Sequence, residues 1–147
     1  MKNVTIKNYS RDSRDACLAL FDKNCPEYFA PNERADYENF LNNNPTGYQL
    51  CTKDDKLIGV FGLFNKEPNV SRLEWIMISP NARGIGLGSI IMNRVLDQAK
   101  NENYAVIHIA TSHVAYKFFE KFGAVIVKKT LNGWGSDMHK FDMELHL

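Results

Sequence analysis

Three glycines on alternate positions carry the clearest chemical meaning in this chain. They are Gly84, Gly86 and Gly88, within Ser79-Pro80-Asn81-Ala82-Arg83-Gly84-Ile85-Gly86-Leu87-Gly88-Ser89. An apolar run at residues 73–78, patterned as a strand, precedes them, and a run with helical spacing follows. The first amides of a helix have no partner inside it, and the helix dipole favours negative charge at that end. Without Cβ atoms, a bulky anion can sit directly on such donors. The segment is therefore predicted to cradle a phosphate or pyrophosphate through main-chain N–H groups. A glycine-rich turn without a ligand is the plain alternative. A Walker A loop would need lysine after its second glycine, and Ser89-Ile90 follow Gly88 here. A dinucleotide fingerprint would need Gly-x-Gly-x-x-Gly with an acidic residue about 20 positions on. The spacing differs, and the residue at position 103 is Asn.

The elements that would hold this loop are legible in order. Residues 4–6 alternate as a strand, and Ser10 or Asp12 could cap a helix carrying Ala16, Leu18, Leu20 and Phe21. Pro26 ends it, and Pro31-Asn32-Glu33-Arg34 opens a second helix with Tyr37, Phe40 and Leu41 at helical spacing. Its charges, Glu33, Arg34, Asp36 and Glu38, read as a solvated face. Strands are expected at residues 48–52, 57–64 and 73–79. After the loop, Leu87, Ile90, Ile91, Val95 and Ala99 form one apolar stripe. Residues 104–110 are apolar apart from His108, which suggests a central strand buried on both sides. A short helix over residues 114–122 ends at Gly123, and strands at 125–127 and 141–145 close the chain. Gly133-Trp134-Gly135 falls in their connection, with Trp134 as an exposed aromatic.

The pattern Arg83-Gly84-Ile85-Gly86-Leu87-Gly88 resembles the pyrophosphate loop of the GNAT superfamily of acyl-CoA-dependent N-acyltransferases. The order β-α-α-β-β-β-α-β-α-β-β is similar to the complete order of that fold, a mixed α/β sheet with splayed fourth and fifth strands. Ala115-Tyr116-Lys117-Phe118-Phe119-Glu120-Lys121-Phe122-Gly123-Ala124 resembles a second motif of the family. The resemblance implies one GNAT domain over residues 1–147. It implies acetyl-CoA as cosubstrate, held by residues 83–89: Arg83, Gly84, Ile85, Gly86, Leu87, Gly88 and Ser89. It places Ile76, Met77 and Ile78 along one side of the pantetheine arm, with Ser112 and Phe119 on the other.

Direct attack by a substrate amine on the thioester is the implied chemistry, so the protein needs a base and a proton source rather than a nucleophile. Glu74 is the only carboxylate in the fourth strand and the candidate base; pairing with Arg72 or Lys56 is its structural alternative. Glu27 and Tyr28, between the first two helices, and Trp134 are candidate acceptor-binding residues. The family commonly has tyrosine where this chain has Phe119, and that tyrosine protonates the leaving sulfur. Phe119 cannot, which leaves Tyr116 as the candidate acid, with Ser112, His113 or water as alternatives.

Composition narrows the remaining classes. At 147 residues, with 44% hydrophobic content, the chain suits one compact domain, and a net charge of +1 gives no argument for nucleic acid or an anionic membrane surface. Cys17, Cys25 and Cys51 have no metal-type spacing and read as reduced thiols, while His139 and His146 form no metal-spaced pair. No signal-peptide core opens the sequence, so a cytoplasmic, metal-free acetyltransferase is expected. Its partner would be a small-molecule amine, with a protein lysine or N-terminus as runner-up. The resemblance allows a homodimer without requiring one. A non-catalytic module that only binds coenzyme A is the rival reading.

Overall fold

The computed structural model describes residues 3–147. Its strands are β1 (Val4–Asn8), β2 (Tyr48–Lys53), β3 (Lys56–Glu67), β4 (Val70–Ile78), β5 (Val106–Ser112), β6 (Val125–Gly135) and β7 (Met138–His146). Its helices are α1 (Arg14–Asn24), α2 (Glu33–Asn42), α3 (Leu87–Asn101) and α4 (Tyr116–Glu120). Single 3₁₀ turns, Arg11–Ser13 and Pro80–Ala82, precede α1 and follow β4. The strands form one mixed sheet in the order β1-β2-β3-β4-β5-β7-β6, and only the β4–β5 pair is parallel. This is the predicted order of elements. No helix among the described residues is long and apolar enough to cross a membrane.

Alternation along the strands divides the interior into two clusters. Phe61, Leu63, Leu73, Ile107, Ile109 and Met143 pack with α3 through Leu87, Ile91, Met92, Val95 and Ala99. On the opposite face, Tyr48, Leu50, Val60 and Met77 pack with α1 and α2 through Cys17, Leu18, Phe21, Tyr37 and Leu41. Burying these side chains is the main favourable term for the fold.

The feature that positions the site lies in β4. Val60 pairs with Met77, but Gly62 pairs with Glu74, so Phe61 faces two residues, Trp75 and Ile76. This is a β-bulge, and Trp75 adopts a left-handed φ of +49° within it. In a regular strand with no bulge, Leu73 and Met77 would share a face, since side chains alternate with period 2. With it, Leu73 packs toward α3 while Trp75 and Met77 pack toward α1 and α2. Glu74 and Trp75 consequently lie on the same side of the sheet. The parallel pairing with β5 stops just before this point, at Leu73 and Ile109. Beyond it the two strands part, as expected.

Several local expectations need correction. Ala16 is exposed, and Cys17 takes the buried position in α1. Met92 belongs to the buried stripe of α3, and Ile90 is only half-buried. β5 is central but not buried on both sides. Ile107 and Ile109 are covered, whereas His108 faces outward between Lys66 Nζ, 2.8 Å from its Nδ1, and Glu144 Oε2, 3.6 Å from its Nε2. The polar residue is where alternation requires it, on the face opposite the one that packs against α3. α4 is shorter than its pattern, only Tyr116–Glu120, and Gly123 closes its end at φ +101°. β6 runs through Trp134 to Gly135, so Gly133-Trp134-Gly135 is strand rather than connection.

The bulge is braced from behind. The fully buried Tyr48 hydroxyl donates to Trp75 O at 2.7 Å and lies 2.9 Å from the Tyr37 hydroxyl. Removing a partner from a buried acceptor costs about 1–3 kcal/mol. Tyr48→Phe should therefore lower unfolding free energy in urea by about that amount, and an unchanged denaturation midpoint would refute the bracing role.

Candidate active site

A cavity of about 660 Å³ opens where β4 and β5 part. Its walls come from the second half of β4, the end of β5, the loop before α3, the start of α4 and the α1–α2 connection. One end is built from backbone donors and the other from aromatic rings and carboxylates.

The donor end is the glycine loop. Among the described residues, no N–H from Arg83 to Ser89 makes a well-formed backbone hydrogen bond; the first to do so is Ile90, to Gly86 O at 3.2 Å. Gly84 and Gly86 have φ of +82° and +86°, and a Cβ on either would meet nothing within 4 Å. Their open side is therefore free for a ligand, and the left-handed backbone is what demands glycine there. Gly88 has a different reason. A Cβ there would lie 2.5 Å from Phe118 Cε1, so this glycine lets α3 approach α4. Open glycines, unpaired amides and the dipole of a 15-residue helix fit a diphosphate. Arg83, Gly84, Gly86, Leu87, Gly88 and Ser89 line the cavity, whereas Ile85 is 40% exposed and lies outside it.

Arg83 does not reach toward that end. Its guanidinium donates to Asn24 Oδ1 and, at 3.4 Å, to Ile78 O, and it stacks 4.1 Å above the Tyr28 ring. Asn24 is itself buried and anchored to Leu20 O at 2.9 Å. The side chain thus ties the loop to the end of α1 and to the roof of the cavity.

The opposite end is carried by Tyr28, Phe29, Glu33, Glu74, Trp75 and Trp134. The Trp75 ring lies 4.9 Å from Tyr37 and 5.9 Å from Phe29, in a cluster that also includes Phe21 and Phe40. Trp134 Nε1 donates to Thr111 O at 2.7 Å, and Asn32 Nδ2 donates to Trp134 O at 2.7 Å. Trp134 is therefore half-buried and fixed between β5 and the start of α2, not the exposed aromatic expected. Glu74 reaches the cavity but is ion-paired, with Arg72 Nε 2.9 Å from its Oε1.

Glu33 is the residue that sequence reasoning misses, since the charges beside it mark a solvated face. It is buried, 3% exposed. Its Oε2 accepts from Ala30 N at 2.7 Å, and its own N–H donates to Ala30 O at 2.9 Å. That reciprocal pair three residues apart resembles a capping box, and a glutamate at the helix start was the available signal. Burial pushes its carboxyl up from 4.5 to about 7, partly offset by the Ala30 N–H and reinforced by Asp36.

Other expected residues are not brought to the cavity. Glu27 is exposed and lies outside its walls. Tyr116 also lies outside. α4 begins at this residue, and its ring packs 4.9 Å from Phe141 on β7. His113 is engaged with His139, whose N–H donates to its Nδ1 at 3.2 Å. Ser112 does line the cavity; its buried Oγ accepts from Val114 N at 3.3 Å and Ala115 N at 3.2 Å, leaving its own proton free to donate. Phe119 is buried against the same wall, and Ile76, Met77 and Ile78 line the other. No cysteine among the described residues lines the cavity, and burial pushes the Cys17 and Cys51 thiols up to about 11 and about 12. Such thiols are poor nucleophiles.

With this geometry in place, comparison with known proteins defines the class. The sequence matches the acetyltransferase (GNAT) family over residues 16–124, and the chain belongs to that family. An uncharacterised N-acetyltransferase of Methanocaldococcus jannaschii is 22% identical over 149 residues, covering 91% of this chain and 66% of the relative, just under two thirds of its length. The ribosomal-protein-S18-alanine N-acetyltransferase of Escherichia coli has a similar fold, with TM-score 0.78 and 14% identity over 97% of this chain and 93% of that one. So does an aminoglycoside 6'-N-acetyltransferase complexed with coenzyme A, with TM-score 0.74 and 17% identity over 97% and 96%.

The raised carboxyl of Glu33 has a consequence for stability. A group whose folded pKa lies above its unfolded value stabilises the fold at low pH and loses that contribution as pH rises, here between 4.5 and about 7. Relative to Glu33→Gln, the native protein should lose up to about 3 kcal/mol between pH 4 and pH 8. Parallel stability-versus-pH curves for the two proteins would show that Glu33 does not titrate in this range.

Proposed function

We propose that this chain transfers the acetyl group of acetyl-CoA to the primary amine of a small molecule by direct attack in a ternary complex. The observation that carries this reading is the run of free amides at residues 83–89, opening into the gap between β4 and β5. The amides and the start of α3 would hold the diphosphate. The unpaired edge of β4, from Ile76 to Ile78, would bond the amide-rich pantetheine arm, since backbone groups without a sheet neighbour need another partner. A main-chain N–H near Ile78 would polarise the thioester carbonyl.

The bound thioester supplies an activated acetyl carbon. The protein then has to align the amine with it, accept an ammonium proton and stabilise the departing sulfur. Two carboxylates, Glu74 and Glu33, stand at the acceptor end for the first proton. The Ser112 hydroxyl is available to hydrogen-bond the sulfur, and a thiolate needs less acid assistance than an alkoxide. Phe119 in place of the family's tyrosine, together with Tyr116 packed on Phe141, gives weight to a module that binds coenzyme A without transfer. The two fold relatives named above act on a protein and on an aminoglycoside, so the fold does not choose the acceptor class.

A thiol-release assay with acetyl-CoA across a panel of primary amines separates these readings. Turnover is expected with at least one amine; acetyl-CoA binding without release would favour the non-catalytic module. Gly86→Val should abolish the calorimetric signal for acetyl-CoA, because it places a branched side chain on left-handed backbone inside the cradle. Retained affinity would defeat the cradle. Arg83→Ala should raise the KM for the amine more than that for acetyl-CoA, since Arg83 supports Tyr28 and Asn24. The opposite ordering would mean that Arg83 serves the phosphates.

A further inference from the structure

We infer that Glu33 receives the acceptor's ammonium and its proton, in a pocket walled by Tyr28, Phe29, Trp75 and Trp134 that selects amines carried on flat apolar bodies. The inference deepens the transfer reading above and rests on it. Glu33 lines the cavity with only 3% of its surface exposed. One carboxylate oxygen is taken by Ala30 N, and the other has no partner among the described residues. That second oxygen is also absent from the fully enclosed unpartnered atoms, which comprise Gln49 Oε1 alone among the described residues, so it keeps contact with open space. A buried carboxylate with a free oxygen and no cation is an incomplete site. An ammonium completes it with a charge-assisted hydrogen bond.

Glu74 is less suited. Arg72 already holds it in an ion pair, so its Oε1 is not open to an incoming ammonium. The other groups around Glu33 do not substitute for the missing cation. Asp36 on its own helix and Cys25 on the α1–α2 connection interact with it without supplying positive charge. Arg34 is occupied by Asp22 and Glu38, and Arg83 by Asn24 and Tyr28. From β7, Lys140 Nζ lies 5.1 Å above the Trp134 ring. The carboxyl's position near pH 7 leaves it able both to hold an ammonium and to take a proton from it.

The balance is simple. One ammonium proton moves to the free oxygen of Glu33. The neutral nitrogen then forms a C–N bond to the acetyl carbon as the C–S bond breaks. A second nitrogen proton ends on the coenzyme A sulfur, and Glu33 returns its proton to solvent.

Aromatic walls around an acid favour a cation on a flat apolar body. Two acids at the same end disfavour an acceptor that carries its own carboxylate. The experiment compares phenethylamine with phenylalanine as acceptors, in the native enzyme and in Glu33→Gln and Glu74→Gln. The Glu33→Gln side chain keeps an oxygen for Ala30 N, so the start of α2 retains its bond; circular dichroism and acetyl-CoA calorimetry confirm folding. In the native enzyme, kcat/KM for phenethylamine should exceed that for phenylalanine at least about 10-fold. Glu33→Gln should lower kcat/KM for phenethylamine about 100-fold or more and remove the rise of the rate between about pH 6 and pH 8. Glu74→Gln should leave that rise in place. An unchanged pH profile in Glu33→Gln, or equal use of the two acceptors, overturns the inference. So does silence toward both amines while acetyl-CoA still binds and another amine reacts. Failure to bind acetyl-CoA at all would instead defeat the transfer reading itself.

Discussion

The extra residue in β4 is the constraint on which this molecule depends. A strand paired on both sides cannot also open a groove, and β4 resolves the conflict by changing face at Trp75. Up to Leu73 it is an ordinary interior strand, hydrogen-bonded to β3 and β5. After the bulge it keeps only β3, and its other edge borders the cavity. The left-handed backbone at a bulky residue is costly, of order 1–3 kcal/mol. That cost is offset by a well-packed aromatic cluster around the ring and by the Tyr48 hydroxyl on its carbonyl. The α1–α2 layer therefore does more than cover the sheet: it holds the strand in the shape that makes a site.

The two ends of the cavity are chemically opposed. At the loop, unpaired amides and a helix N-terminus offer partial positive charge without a mobile side chain. At the roof, two carboxylates and several rings offer negative charge and apolar surface. In the proposed transfer, an anionic cosubstrate and a cationic acceptor would thereby be sorted to opposite ends before any reaction. Fixed dipoles suit the first task because they need no reorganisation. A buried acid suits the second because the low local dielectric strengthens its attraction for a cation.

The left-handed glycine loop and the order of elements are legible in the chain because each depends on short-range pattern. Gly84 and Gly86 mark left-handed backbone, and the α3 stripe marks a covered face. The bulge is not legible. Leu73, Glu74, Trp75, Ile76 and Met77 read as a plain strand, and nothing local says that one of them is extra. Glu33 is hidden for a related reason. Beside Arg34, Asp36 and Glu38 it looks like one more surface charge, and its burial follows from how α2 docks on the sheet. Tyr116 misleads in the opposite direction: its helical spacing from Phe119 suggests a shared face, but it is the first residue of a five-residue α4 and its ring packs on Phe141. Trp134 misleads because glycine on either side suggests a turn, whereas β6 continues through it. Local rules locate the backbone elements, and long-range packing decides which side chains meet.

Arg83 sits one residue before the first open glycine, yet its side chain is engaged by Asn24 and Tyr28 across the cavity. One residue therefore belongs by its backbone to the glycine loop and by its guanidinium to the α1–α2 side of the cavity. Any drift in that loop is felt on both sides of the cavity at once. If the proposed transfer holds, lineages altering their choice of acceptor could not freely redraw the roof, because each change there would tug on the clasp that shapes the glycine loop.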